Sequence, residues 1–460
     1  GIAHWSWGAC MTAHAAFGWL QILRLGLIQA CLGSVVVMTT STLNRVMVVE
    51  LALPALLPGL LVGWHYAVQI VRPRLGFGAD RGGRCTPWMI GGMAVLALGG
   101  CLAALATTWM AHDRWVGIAM AIVAFSMIGL GVSSCGTSLL VLMSKRVPDA
   151  LRAPAATTVW MMMILGFALT AVTAGRWLDP FSPQRLVWVT TCVSLLAFAL
   201  SSLSLWKLEG NPTLSLRQAA AKAPTRADFS RTLREVWQEP QARHFTVFVF
   251  LSMLAYSAQD LILEPFAGTV FRMTPGETTQ LSGLQHGAVL VGMISVAVAG
   301  CGWVKGRLGS VQAWMVGGCL VSALAMCGLC MAAQQAGSWP LRANVWLLGV
   351  ANGAFSIAAI TTMMRLAREG TAQREGTRMG LWGAAQAMAF GLGGLVGTGV
   401  SDLARWWIEQ DELAYACVFF FEVVLFTGSA WWALRVGHSQ ASAAVPSLNS
   451  PSWAQEGQQS

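Results

Sequence analysis

Two segments of the sequence place charged and polar side chains beside long apolar runs. One contains Asn44, Arg45 and Glu50, and the other contains Asp260 and Glu264. Charges inside apolar spans cost about 2.5–3.5 kcal/mol each at the midplane of a bilayer, so they are usually paired or functional. Arg45 can pair with one of these acids and lock two parts of the chain together, which is the interpretation we favour. The alternative is that the acids take up protons.

The sequence lacks the common signatures of a catalytic site. The glycine-rich segment 391–399 has a spacing similar to a dinucleotide-binding loop, but it lies within an apolar helical pattern and no strand precedes it. The sequence contains no Walker loop, no HExxH zinc motif and no nucleophile elbow. We therefore expect a protein that is not an enzyme and that has no metal site of its own.

The composition is that of an integral membrane protein. Of the 460 residues, 55% are hydrophobic and 11% are charged, whereas about 25% are charged in an average soluble domain. The mean hydropathy is +0.59, and the apolar runs have the length of about 20 residues that a membrane-spanning helix needs. The net charge of +9 therefore does not predict nucleic-acid binding.

The sequence contains twelve apolar spans, and the longest polar stretch between them, residues 207–243, separates the first six from the last six. This pattern predicts an N-terminal six-helix half (1–206), a linker (207–243), a C-terminal six-helix half (244–436) and a disordered tail (437–460). Most of the 29 basic residues fall in the loops on the side of the two termini, and the positive-inside rule places that side in the cytoplasm. The expected spans are 20–43, 50–71, 86–110, 115–143, 157–178, 185–206, 244–264, 282–304, 311–333, 341–365, 379–400 and 414–436.

The loop between spans 2 and 3 carries a known signature. It reads GxxxDRxGR, formed by Gly76, Asp80, Arg81, Gly83 and Arg84. This motif resembles the loop signature of the major facilitator superfamily. Glycine permits a tight turn there, and an aspartate is favourable near a helix N-terminus.

Two further segments narrow the resemblance. Residues 42–51 read TLNRVMVVEL and residues 259–268 read QDLILEPFAG. Together they resemble the bacteriochlorophyll-delivery branch of the superfamily, the PucC/LhaA family, over about residues 20–436. Arg272 departs from this pattern, because a small residue is expected before Met273. The resemblance implies an all-α integral membrane fold, a 12-helix major-facilitator bundle of two pseudo-symmetric six-helix halves around a central cleft.

The resemblance also implies a pigment, bacteriochlorophyll, with carotenoid as a second candidate. The magnesium of bacteriochlorophyll takes one axial ligand, commonly a neutral imidazole. His65 in span 2, and His286 with its neighbour Gln285 in span 8, lie where apolar helices could flank the macrocycle. At each position, a hydrogen-bonded histidine at a helix contact is the alternative.

The function implied is that of an assembly factor for photosynthetic light-harvesting complexes, which binds or delivers bacteriochlorophyll to nascent antenna polypeptides. The expected location is the bacterial inner, or intracytoplasmic photosynthetic, membrane. The expected partners are the lipid bilayer and the antenna polypeptides, with the reaction centre and the pigment-synthesis and insertion machinery as further candidates. The alternative is a proton-coupled secondary transporter of a small or amphipathic molecule, with Glu50, Asp260 and Glu264 as coupling acids.

Overall fold

The computed structural model describes residues 17–69, 84–209, 234–235, 237–300, 310–369, 375–408 and 410–443. Over these ranges the chain forms twelve helices and no strand, as the sequence predicts. The helices are α1 (Trp19–Val37, continued by π-helical turns over Met38–Leu43 and Val46–Glu50), α2 (Leu56–Val68), α3 (Thr86–Trp109), α4 (Arg114–Arg146), α5 (Asp149–Leu178), α6 (Pro183–Leu205), α7 (Pro240–Val270), α8 (Pro275–Gly300), α9 (Val311–Gln334), α10 (Leu341–Glu369), α11 (Glu375–Ile408) and α12 (Asp411–Ala443).

Among the described residues, eleven helices are long and apolar enough to cross a membrane. The exception is α2, which has 13 residues. We call the end of the bundle where α1 begins and α12 ends the terminal end, and the opposite end the far end. Helix α12 continues to Ala443, into the segment that the sequence analysis assigns to a tail.

The two halves repeat one packing pattern. In the first half α1 packs on α5 and α6, and α3 packs on α4 and α6; in the second half α7 packs on α11 and α12, and α9 packs on α10 and α12. The halves meet through α2 against α11 and through α5 against α8. Each of these contacts maps onto its counterpart when six is added to or subtracted from the helix numbers, which is the pseudo-symmetry expected of an internal repeat.

Each half has its own apolar core. One core is built from residues of the first half together with Leu261, and the other comes from the second half alone. A third, smaller cluster joins α5 to α8 and α10, with Ile164, Val289 and Met293 at its centre. Side chains of both halves are therefore packed together as well as within each half.

The first span extends further than predicted. The apolar pattern predicts its end at residue 43, but helical turns continue to Glu50, where the second span was expected to begin. The chain then leaves the helix through Ala52, which has a φ of 49°, and Pro54 precedes α2. The polar residues Asn44 and Arg45 remain inside the helical bundle because the second half supplies hydrogen-bond partners for them, as described next.

Candidate functional site at the contact of the two halves

The charged segment of α1 lies against the second half at the far end. Asn44 and Arg45 are 1% and 2% exposed. The Asn44 Nδ2 group donates to the Leu261 carbonyl at 2.8 Å, and Arg45 Nη2 donates to the Met273 carbonyl at 2.7 Å. Both bonds cross from one half to the other, so this segment joins α1 to the chain around α7.

Of the three acids considered for Arg45, the structure pairs it with Glu50. Arg45 Nη1 lies 2.5 Å from Glu50 Oε1, and both residues belong to the first half. The ion pair itself therefore does not bridge the halves. It orients the guanidinium, whose second amino group then makes the bridge to the Met273 carbonyl.

Gly268, in the segment that resembles the PucC/LhaA family, leaves room for this guanidinium. A Cβ atom at Gly268 would lie 3.0 Å from Arg45 Nε and 3.1 Å from Arg45 Nη2. Contacts this short would force the arginine to move. A glycine at this position is explained by the close approach of α7 to the arginine.

Two hydroxyl pairs that the sequence analysis did not single out extend this contact. Ser41 Oγ lies 2.9 Å from Ser282 Oγ, and Thr42 Oγ1 lies 3.1 Å from Thr279 Oγ1. All four residues are buried. The available signal was the occurrence of hydroxyl residues in span 1 and just before and at the start of span 8, since such residues commonly bond between membrane helices.

Two aspartates cap helices of the opposite half at the far end. Asp402 of α11 accepts from the backbone amides of Ala55 and Leu56, at 3.0 and 2.6 Å, where α2 begins. Asp179, after α5, accepts from the Thr274 hydroxyl at 2.9 Å and the Gly276 amide at 3.3 Å, where α8 begins. These are pseudo-symmetric equivalents, because each places a carboxylate at the positive end of a helix dipole. The far end is therefore closed by hydrogen bonds on both sides.

Asp260 and Glu264 lie on α7 without an ion-pair partner among the described residues, and Glu264 faces the contact with α1. Glu264 is 1% exposed, with the hydroxyls of Ser41 and Ser282 and the guanidinium of Arg45 around it. Asp260 Oδ1 lacks a hydrogen-bond partner within the described part of the chain, whereas the Glu264 carboxylate lies among hydroxyls that can donate to it, those of Ser41, Thr278 and Ser282. These two acids interact with each other electrostatically.

A third acid, Glu422 of α12, belongs to the same group and was not predicted. It is 0% exposed, and both of its carboxyl oxygens lack a hydrogen-bond partner in the described residues. It interacts electrostatically with Asp260. A single acid within the apolar run VFFFEVVLF, residues 418–426, was the available signal, because an ionisable residue inside a membrane span is by default a functional candidate.

His286 faces the other half of the protein from α8. Its ring is 5% exposed, and Nδ1 donates to the Ser282 carbonyl at 2.8 Å. The edge of the ring meets Phe167 of α5, with ring centres 5.0 Å apart. In the neutral ring this hydrogen bond leaves the lone pair on Nε2, which is the arrangement of most metal-ligating histidines.

The other two proposed pigment ligands lie in different surroundings. Gln285 is 2% exposed, and its Nε2 has no partner among the described residues. His65 is 3% exposed, with Nε2 at 2.9 Å from Gln69 Nε2 and its ring against Tyr66. The ring contact of His65 is therefore within α2, and that of His286 is with α5. The structure does not bring the two histidines together as one ligand pair.

Apolar and aromatic side chains of α5 line its contact with α8. Partly buried Trp160, Met161, Met163 and Phe167 of α5 pack against the small cluster that joins α5 to α8 and α10. Methionine and aromatic side chains adapt well to large flat ligands. The contact of α5 with α8 thus combines one imidazole with apolar surface.

The predicted loop motif lies mostly outside the described residues. This holds for Gly76, Asp80, Arg81 and Gly83, whereas Arg84 is described and exposed. Arg272, the departure in the far-end loop, is exposed and has a φ of 53°. Its charge is directed away from the packed interior.

Comparison with known proteins identifies the family. The family model for the PUCC protein matches residues 42–441. The "Bacteriochlorophyll synthase 44.5 kDa chain" of Rhodobacter capsulatus is 48% identical over 433 residues, 94% of this chain and 98% of that protein. "Protein PucC" of Cereibacter sphaeroides is 29% identical over 394 residues, 83% of each chain.

Solved structures show the same fold at low sequence identity. A D-xylose–proton symporter superimposes with a TM-score of 0.65 at 13% identity, over 88% of this chain and 96% of its own. The nucleoside transporter NupG gives 0.64 at 13% identity, over 90% of this chain and 99% of its own. The bundle therefore has the major-facilitator architecture that the sequence predicts.

Proposed function

The chain belongs to the PUCC protein family, and on this premise we propose that it is an assembly factor for photosynthetic light-harvesting complexes. In this role it binds bacteriochlorophyll in the membrane and delivers it to nascent antenna polypeptides. Relatives named for PucC and for bacteriochlorophyll synthase support a role in the photosynthetic apparatus. Carotenoid is a second candidate pigment.

The observation that carries the pigment proposal is the setting of His286. Its Nδ1 is held by the Ser282 carbonyl, so Nε2 can offer its lone pair to the magnesium of the pigment. Phe167 stands edge-on to the imidazole, and the methionines of α5 supply apolar surface at the contact of α5 with α8. Gln285 offers an amide donor to a polar substituent of the ring.

The proposal includes location and partners. We place the protein in the inner, intracytoplasmic photosynthetic membrane with both termini in the cytoplasm, because basic residues concentrate at the terminal end. Pigment enters from the lipid, since macrocycle and tail are apolar. The antenna polypeptides bind lipid-facing helices, and the reaction centre and the pigment-synthesis and insertion machinery are further partners.

Replacing His286 with leucine is expected to weaken pigment binding about tenfold, the usual order for loss of a ligand or its support. The protein is purified in mild detergent from pigment-making cells, and near-infrared absorption gives the pigment per protein. His65→Leu tests the second histidine in the same way. The matched control is His244→Leu, since His244 lies at the beginning of α7 against Trp432. Pigment-free wild-type protein, or equal pigment in all four proteins, would argue against delivery through these histidines.

We propose a non-enzymatic role, although one relative is named as a synthase chain. Incubating the purified protein with bacteriochlorophyll precursors separates the two roles. Unchanged precursors with stable pigment binding are the expected result. Turnover by the wild-type protein would support an enzyme instead.

The second candidate function is proton-coupled secondary transport, and the buried acids favour it. Asp260 Oδ1 and both carboxyl oxygens of Glu422 lack hydrogen-bond partners within the described residues, and isolated buried carboxylates are costly unless they bind a proton. Glu264 is buried beside Asp260 and interacts with it electrostatically. If this function is correct, Glu264→Gln and Asp260→Asn should abolish proton-dependent uptake into proteoliposomes. Glu412→Gln, at an exposed position where α12 begins, is the control. Uptake that persists in both variants would exclude these acids as coupling groups.

A further inference from the structure

A polar cavity lies at the terminal end, away from the contact of the two halves. It has a volume of about 340 Å³ and lies between the beginning of α3 and the end of α6. Its polar lining is formed by Arg84, Thr86, Ser202, Lys207 and Glu209. The remaining wall is apolar and aromatic, formed by Ile90, Leu205, Trp206 and Leu208.

The single acid in this cavity is already engaged. Glu209 is 8% exposed and accepts from the Cys85 amide at 2.6 Å. It also accepts from the Thr86 amide and hydroxyl, at 2.8 and 2.5 Å. Its carboxylate is thus held at the first turn of α3, where a helix favours negative charge. With the two cations Arg84 and Lys207 and this one acid, the cavity lining keeps a positive balance.

The two cations and one hydroxyl are available to a ligand. Among the described residues, neither Arg84 nor Lys207 takes part in an ion pair, and Ser202 Oγ is buried without a hydrogen-bond partner. Lys207 has a φ of 55°, a left-handed conformation that non-glycine residues rarely adopt and that is often kept where it serves a site.

The backbone that carries Lys207 is held in place from two sides. Arg24 of α1 donates to the Ser204 carbonyl at 3.0 Å and also to the Trp206 carbonyl. Arg146 of α4 donates to the Glu209 carbonyl. The cavity between α3 and α6 is therefore supported by α1 and α4 as well, so it is preorganised for binding.

We propose that this cavity binds the headgroup of an anionic phospholipid. Arg84 and Lys207 contact the phosphate, and Ser202 donates a hydrogen bond to it. The acyl chains lie along Ile90 and Leu205, in the membrane-spanning parts of α3 and α6. This depth and the apolar wall favour a lipid over free phosphate, and the proposed cytoplasmic orientation places the cavity in the leaflet that is rich in anionic lipid.

A separate apolar groove on α3 offers space for an acyl chain. This groove, of about 450 Å³, lies between α3 and α4, lined by Pro87, Trp88, Gly91, Val95 and Leu130 among others. It begins at the same first turns of α3 that border the polar cavity. A lipid whose phosphate sits at Arg84 can thus place a chain against the outer surface of α3.

Lipid binding by the delipidated full-length chain in detergent tests the proposal. Native mass spectrometry gives the affinities for phosphatidylglycerol and for phosphatidylcholine, with inorganic phosphate as a competitor. We expect preference for phosphatidylglycerol, and about tenfold weaker binding in the double variant Arg84→Gln, Lys207→Gln, since each basic side chain near a membrane surface contributes appreciably to the attraction. Ser202→Leu, which fills the cavity without changing charge, should weaken binding as well.

The charge-matched control is the double variant Arg234→Gln, Arg243→Gln, whose arginines are exposed near the beginning of α7. Its affinity should stay within about twofold of the wild-type value, because nonspecific surface charge is screened within a Debye length. Equal losses in this control, or unchanged binding in both cavity variants, would overturn the proposal. Displacement of the lipid by millimolar inorganic phosphate would also overturn it, in favour of a simple anion site. If the double cavity variant fails to fold, the affinity of the Ser202→Leu variant for phosphatidylglycerol tests the proposal by itself.

Discussion

Gly353→Val is expected to destabilise the protein by about 3 kcal/mol, at the upper end for forcing extra atoms into a packed interior. A Cβ atom at Gly353 of α10 would overlap the Val289 carbonyl oxygen of α8, and it would lie 3.0 Å from the Met293 amide nitrogen. These neighbours are backbone atoms, which cannot rotate away. The two helices would have to separate, and thermal unfolding in detergent measures the loss.

The contact is reciprocal, which strengthens the expectation. A Cβ atom at Gly292 of α8 would overlap the Val350 carbonyl oxygen of α10 and lie 3.0 Å from the Ala354 amide nitrogen. Small residues on both helices thus allow the backbones to touch, as is common between membrane helices. Gly428→Val is the matched control, because nothing lies within 4 Å of a Cβ atom there. Equal unfolding temperatures for the two variants would mean that α8 and α10 are not in close contact.

Gly353→Val is also expected to affect pigment binding. Helix α8 carries Gln285 and His286, and a Cβ atom at Gly349 of α10 would lie 2.5 Å from the Gln285 carbonyl oxygen. The position of the proposed pigment ligands therefore depends on the contact with α10. Gly353→Val should also reduce bound pigment, whereas Gly428→Val should leave it unchanged.

The sequence predicts the architecture well because membrane helices are specified by simple quantities. Length and hydropathy define the spans, and the break at 207–243 divides them into two groups of six. The segments containing Arg45 and Glu264 also indicate the family, and the structure places both at the far end. A chemically costly residue in an apolar run is a strong signal even when its partner is unknown.

The partners themselves are set by three-dimensional packing and could not be predicted. The sequence offers three acids as possible partners for Arg45 and does not distinguish between them. Its second partner, the backbone carbonyl of Met273, is specified by no sequence pattern. The pairing of Ser41 with Ser282 depends on the relative rotation of α1 and α8. The continuation of α1 to Glu50 has the same origin, because Asn44 is tolerated in a helix only when the opposite half supplies the Leu261 carbonyl.

Helix caps across the two halves were missed for a related reason. Nothing in the sequence singles out Asp179 or Asp402, since an aspartate near a span end usually faces water. Each instead accepts from the first turn of a helix in the opposite half. Comparing equivalent positions of the two six-helix halves would have been the means of finding them, because both lie near the far ends of equivalent helices.

A disulfide between cysteines at positions 41 and 282 is expected to form readily and to hold the far end closed. The serine hydroxyl oxygens are 2.9 Å apart and join α1 to α8, so the two Cβ atoms should be near the roughly 3.5–4.5 Å separation that a disulfide needs. The double variant is Ser41→Cys, Ser282→Cys, treated with a mild oxidant. Peptide mass spectrometry distinguishes the new bond from the native cysteines, and the unfolding temperature should rise on oxidation. The control pairs Ser41→Cys with Ser295→Cys, which lies on the exposed face of α8 further from the far end.

This bond separates the two candidate functions because they require different motions. Secondary transport needs the halves to rock so that the site opens to alternate sides, and a covalent link at the far end should abolish it. Delivery of a pigment that enters from the lipid does not require the far end to open. We therefore expect the oxidised variant to keep its pigment and to support antenna assembly in membranes. Loss of assembly on oxidation, with recovery after reduction, would instead show that opening of the far end is part of the function, as a transporter requires.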